Sequence, residues 1–215
     1  MHVFSRSKVA LFFSLVAFGA MLGVLLANTV FPSLSSYAAS STLATKEFEF
    51  KLAASPGIRT NCLPHARGEA TITRDKLNDQ LTVEVDGLAP NTGYDLFVTE
   101  LPNKPFGVSW YQSDLETNGQ GEGSVSVRGI FNVETFSVSL GEATPTATQV
   151  VFPPTHQFHL GLWFNDPNVP FKLGCEPGAT SPVITPFNGE QHAGIQVLNT
   201  GNFPDKAGPL SHVAP

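Results

Sequence analysis

The sequence predicts an all-β protein, an antiparallel β-sandwich of about eight or nine strands. Three observations predict it. After residue 44, apolar and polar residues alternate with period two in run after run. Clusters of Asn, Asp, Gly and Pro separate the runs as turn signals. Beyond the first forty residues, no window repeats its apolar positions with the 3.6-residue period of a helix.

The first forty residues follow another logic. Met1 to Lys8 carries Arg6 and Lys8, and Val9 to Ala27 is nineteen residues without a charge. Pro32 and the small-residue site Ser36-Tyr37-Ala38-Ala39 follow. A basic start, an apolar stretch and a small-residue site make the order of a secretory signal. As a helix the apolar stretch rises about 28 Å, close to the hydrocarbon core of a bilayer at about 30 Å. Residues 1–38 are therefore expected to be a signal peptide or an uncleaved membrane anchor, with a linker at 39–44. Both readings predict a secreted or cell-surface protein, because Arg6 and Lys8 hold the N-terminus in the cytoplasm.

The strands are expected within residues 45–175. Phe48, Phe50 and Leu52 alternate with Glu47, Glu49 and Lys51. Ala70 and Ile72 alternate with threonines, and Leu81, Val83 and Val85 with Thr82, Glu84 and Asp86. Tyr94, Leu96 and Val98 form the next row, then Val125 and Val127, then Phe136, Val138 and Leu140. His156 to Phe164 is the last strong run. Each run predicts a strand with one buried face and one wet face. Leu77-Asn78-Asp79, Ala89-Pro90-Asn91 and Asn118-Gly119-Gln120-Gly121 supply turns. Residues 176–215 hold six Pro and five Gly, yet also Phe187, Ile195, Val197, Leu198, Phe203 and Leu210. They read as an extended, ordered C-terminal segment lying across one sheet, with Ile195 to Leu198 as a short strand.

Charge and cysteine usage narrow the function. Without Arg6 and Lys8, ten Lys and Arg face 18 Asp and Glu, with no basic cluster. Nucleic acid is a poor partner for such a surface, and the membrane is met only through the N-terminal segment. Cys62 and Cys175 are the only cysteines, and in an exported chain they are expected to form a disulfide.

Leu88-Ala89-Pro90-Asn91-Thr92-Gly93-Tyr94 resembles the L-x-P-x-T-x-Y tyrosine corner of fibronectin type III domains, which CHRD-like sandwiches also carry. The resemblance implies that the Tyr94 hydroxyl bonds back to the backbone and pins a crossing between two sheets. His159-Leu160-Gly161-Leu162-Trp163-Phe164-Asn165 and Gly194-Ile195-Gln196-Val197-Leu198-Asn199-Thr200 are similar to a group of exported bacterial proteins to which no activity is assigned. That likeness implies no catalytic residue.

Catalytic patterns are weak. Gly107-Val108-Ser109-Trp110-Tyr111 begins like a nucleophile elbow but lacks the second glycine. Asp114 with Glu116, Glu47 with Glu49 and Glu84 with Asp86 share faces two apart, the spacing of solvated strand faces. A metal site of the superoxide-dismutase type would need His156, His159 and His192 to converge. His156 and His159 are three apart, which puts them on opposite faces of one strand. No cofactor is implied. The surface to follow is the polar row of the last run: Gln157, His159, Gly161, Trp163 and Asn165. Trp163, His159 and Asn165 form a candidate binding platform for a protein or glycan. Alternatively the C-terminal segment covers Trp163, a role open to Phe187 or Phe203. The sequence thus predicts a non-catalytic binding or structural module, with the metal enzyme as the alternative.

Overall fold

The computed structural model describes residues 47–137, 140–141, 150–151, 154–187 and 190–215. The expected signal, anchor and linker lie outside the described residues. The protein is mostly β. The strands are β1 (Glu47–Ala54), β2 (Arg67–Thr73), β3 (Asp79–Asp86), β4 (Gly93–Thr99), β5 (Ser109–Glu116), β6 (Gly123–Gly129), β7 (Phe136–Ser137), β8 (Leu140–Gly141), β9 (Val150–Val151), β10 (Thr155–His156), β11 (His159–Phe164) and β12 (Gln196–Asn199). Two short helices, α1 (Ile58–Asn61) and α2 (Asn168–Lys172), and a 3-10 turn at Pro209–His212 complete it.

Eight strands form one antiparallel sheet in the order β5-β4-β11-β12-β1-β2-β3-β6. Strand β1 joins its halves, pairing with β2 through Glu47–Leu52 and with β12 through Ala53 and Ala54. Side chains from both halves meet in one core cluster, among them Phe50, Ile72, Val83, Leu96, Leu162 and Leu198. The β5–β6 hairpin brings the two ends of the order together at the Thr117–Gly123 bridge. Gly121 turns that hairpin at φ 79°, and a Cβ there would stand 2.2 Å from the Leu88 carbonyl oxygen, so glycine is required.

The period-two reading holds in β1, β2 and β3, whose rows Phe50/Leu52, Ala70/Ile72 and Leu81/Val83/Val85 are all buried. It fails in β11 and β12, where every residue is buried, and nearly so in β4. These strands are covered on their second face as well. Phe97, Phe106, Trp163, Phe187 and Ala193 form a separate apolar cluster there.

Residues 176–215 do not simply lie across a sheet. Strand β12 is inserted between β11 and β1, in the middle of the order. The segment before it folds back on itself, with the Thr185 N–H donating to the Ala193 carbonyl at 2.7 Å. Residue 175 is therefore no boundary within the β-domain. The expected short strand at Ile195 to Leu198 is present, one residue later.

Cys62 and Cys175 are joined by a disulfide, with Cα atoms 4.9 Å apart across a sequence separation of 113. The bridge ties the end of α1 to the chain just after α2. Tyr94 is fully buried, and its hydroxyl oxygen accepts from the Ala89 N–H at 3.0 Å. Thr117 locks the same corner: its hydroxyl accepts from the Thr92 N–H at 3.0 Å and approaches the Ala89 carbonyl at 2.6 Å.

Candidate functional site

The expected platform does not exist as an open surface. Trp163 is fully buried. Its indole leans back over Gly161, where a Cβ would lie 2.4 Å from the ring, so the missing side chain is the seat of the indole. Phe106 and Phe187 each pack edge-on at 5.0 Å, and Phe97 at 5.4 Å. Of the two residues expected as covers, Phe187 does the covering, while Phe203 packs on Phe50 at 6.2 Å. His159 is also fully buried. Its Nδ1 pairs with Thr200 Oγ1 at 2.9 Å and its Nε2 with the Asp205 carbonyl at 3.0 Å. Burial holds its pKa below the usual imidazole value. Only Asn165 of the three is exposed.

The three histidines are not brought together. His156 is exposed and stacked on Phe158 at 4.8 Å, His159 is held as above, and His192 is exposed. Among the described residues no group of three or more His, Cys, Asp or Glu is arranged to hold a metal ion. The Ser109 hydroxyl donates to the Gly107 carbonyl at 3.3 Å.

Asp95 is the most perturbed carboxyl of the outer face. It stands between Asp114 on β5 and Trp163 on β11, in register with both. One oxygen accepts from Asn165 Nδ2 at 2.9 Å; Oδ2 is buried with no partner, as is Trp163 Nε1. Burial pushes its pKa up to about 6, the Asn165 bond opposes this, and the charges of Glu190 and Asp114 add to the rise. Perturbed carboxyls can mark active sites. Asp95, however, is 1% exposed and lines neither of the two surface cavities described below. Its effect is on stability. The folded state keeps the proton at a pH where the unfolded chain has lost it. Stability therefore falls as pH rises from the ordinary carboxylate range to about 6, then levels off. Two pH units correspond to about 3 kcal/mol. Asp95→Asn is expected to flatten this slope and to raise unfolding free energy at pH 7–8 by up to about 3 kcal/mol. Urea titrations of both proteins from about pH 4 to about pH 8 check it; parallel pH profiles contradict it.

Two surface cavities differ in character. The larger, about 810 Å³, lies over the β1–β2–β3–β6 half and is lined by charged groups. Arg67 and Asp86 pair there at 2.7 Å, and Lys51, Glu69 and Glu84 follow one another in register. These charges are exposed and solvated.

The smaller cavity, about 460 Å³, is of another kind. It opens where β5 and β6 diverge away from their hairpin, at the start of β5 and just past the end of β6. Trp110, Ile130 and Phe136 line it at 58%, 54% and 57% exposure. Val98 closes it toward the core. Gln157, fully buried, also lines it; its Nε2 donates to the Thr155 carbonyl at 2.9 Å, while its Oε1 accepts no hydrogen bond. Ser137 Oγ is likewise buried without a partner. An apolar cleft of this size with a few convergent polar groups has the makeup of a ligand site.

Sequence reasoning looked for an exposed tryptophan at Trp163, whereas the exposed one is Trp110. The signal for it is the pair Trp110-Tyr111: neighbours on a strand point to opposite faces, so both cannot enter one core. Tyr111 packs edge-on against Phe97 at 5.8 Å on the outer face, and Trp110 is left at the cleft. No family model, curated protein or solved structure matches the chain.

Proposed function

We propose that this chain is an exported, disulfide-bonded β-sandwich that binds rather than catalyses, and that the Trp110 cleft is its recognition surface. The observation that carries the reading is the exposure of Trp110, Ile130 and Phe136 around one cavity. Large apolar side chains gathered in the open favour contact with something else. The sandwich reading is supported by the main core cluster, which takes side chains from both halves of the sheet. Export is supported by the apolar Val9 to Ala27 stretch after Arg6 and Lys8, and by the pairing of both cysteines.

A recognition surface is spared from holding the fold together. Trp110→Ala and Phe136→Ala are each expected to change the unfolding free energy by no more than about 0.5 kcal/mol, as surface substitutions do. Urea denaturation measures it. A loss of several kcal/mol from either variant makes the cleft a structural element and overturns the reading.

A further inference from the structure

We infer that the ligand of the Trp110 cleft is a neutral carbohydrate, an inference that rests on the cleft being the recognition surface. Among the described residues, the lining has one ionisable side chain, Glu134, and no Lys, Arg or His. An anionic ligand would find no counter-charge there and one repelling carboxylate. The apolar side chains set a second condition. Trp110 and Phe136 offer exposed ring faces, which take the flat C–H face of a sugar ring.

The polar atoms set a third. Gln157 Oε1 and Ser137 Oγ are buried and have no hydrogen-bond partner. A wholly apolar ligand leaves these atoms unsatisfied, as they are in the free protein, and gains nothing from them. A ligand bearing hydroxyl groups gives Gln157 the donor that the protein does not supply. Gln112 adds a further neutral amide at the wall. An apolar face with hydroxyl groups around its rim is the chemistry of a sugar.

The test is calorimetric titration of the full chain with cellohexaose, maltohexaose, mannohexaose and chitohexaose, and with a hexamer of galacturonic acid as the charged control. At least one neutral hexasaccharide is expected to bind and the charged one not to. Trp110→Ala and Gln157→Leu are each expected to weaken binding by about tenfold or more. Thermal unfolding of each variant establishes that it is folded. A neutral sugar that binds with equal affinity to Trp110→Ala sits elsewhere, and both this inference and the cleft reading fall. If no sugar binds but phage-displayed peptides bind in a Trp110-dependent manner, the carbohydrate assignment falls and the cleft reading stands. Preference for the charged hexamer, or no binding of any probe at millimolar concentration, also overturns the assignment.

Discussion

Replacing Cys62 and Cys175 together by serine lowers the unfolding free energy by about 4–5 kcal/mol. The figure comes from the loop that the bridge closes: the cysteines are 113 residues apart. Cross-linking so long a loop removes conformational entropy from the unfolded chain, by about 4.7 kcal/mol for a loop of 100 residues. That is a large share of the roughly 5–15 kcal/mol that holds a domain folded. Ile58, beside the bridge, is buried in the main core, most of whose members come from the strands of the sheet. The variant is therefore expected to fold and to melt early. Urea titrations of the double variant and the parent measure the difference, and a loss below about 1 kcal/mol contradicts the entropic account. Thiol labelling of the denatured, unreduced parent should find no reactive cysteine, because the structure holds no free one.

Trp163→Ala is the second large effect, expected to cost about 3–5 kcal/mol. The indole is completely buried between Phe97, Phe106 and Phe187, and its removal leaves a void that three aromatic rings can close only in part. Gly161→Ala acts on the same contact from below, since its added methyl group enters the volume of the indole. A cost below about 1 kcal/mol for Trp163→Ala means that the outer cluster contributes little to stability.

These two features differ in how far the sequence reveals them. The disulfide is legible because a chain with two cysteines has only one internal pairing to make. The inner faces of β1, β2 and β3 are legible because alternation states which side of a strand is apolar. Alternation does not state whether the other side stays wet. In β4, β11 and β12 the polar side is covered too, and Asp95, His159, Gln196 and Asn199 are buried. Asn199 Nδ2 donates to Gln196 Oε1 at 2.8 Å and to Ser55 Oγ at 3.0 Å, and Gln196 Nε2 donates to the Pro102 carbonyl at 3.1 Å. Apart from the Asn199–Gln196 bond, these two amides are met by partners 94 and 144 residues away, and local pattern carries no information about them. The same limit hid the cleft. Trp110, Phe136 and Gln157 come from three separate parts of the chain. The pairing of β4 with β5 also shifts register between Leu96 and Phe97, which breaks the alternation that would have placed Trp110.

The division of labour between the two tryptophans is the centre of this account, and iodide quenching of two single-tryptophan variants tests it most directly. Trp163→Phe leaves Trp110 as the only indole, and Trp110→Phe leaves Trp163. The Trp110 protein is expected to emit at long wavelength and to be quenched strongly, as befits a ring 58% exposed at an open cleft. The Trp163 protein is expected to emit at short wavelength and to resist quenching, because the ring is fully buried. A protected Trp110, or a Trp163 that iodide reaches as readily as Trp110, contradicts it.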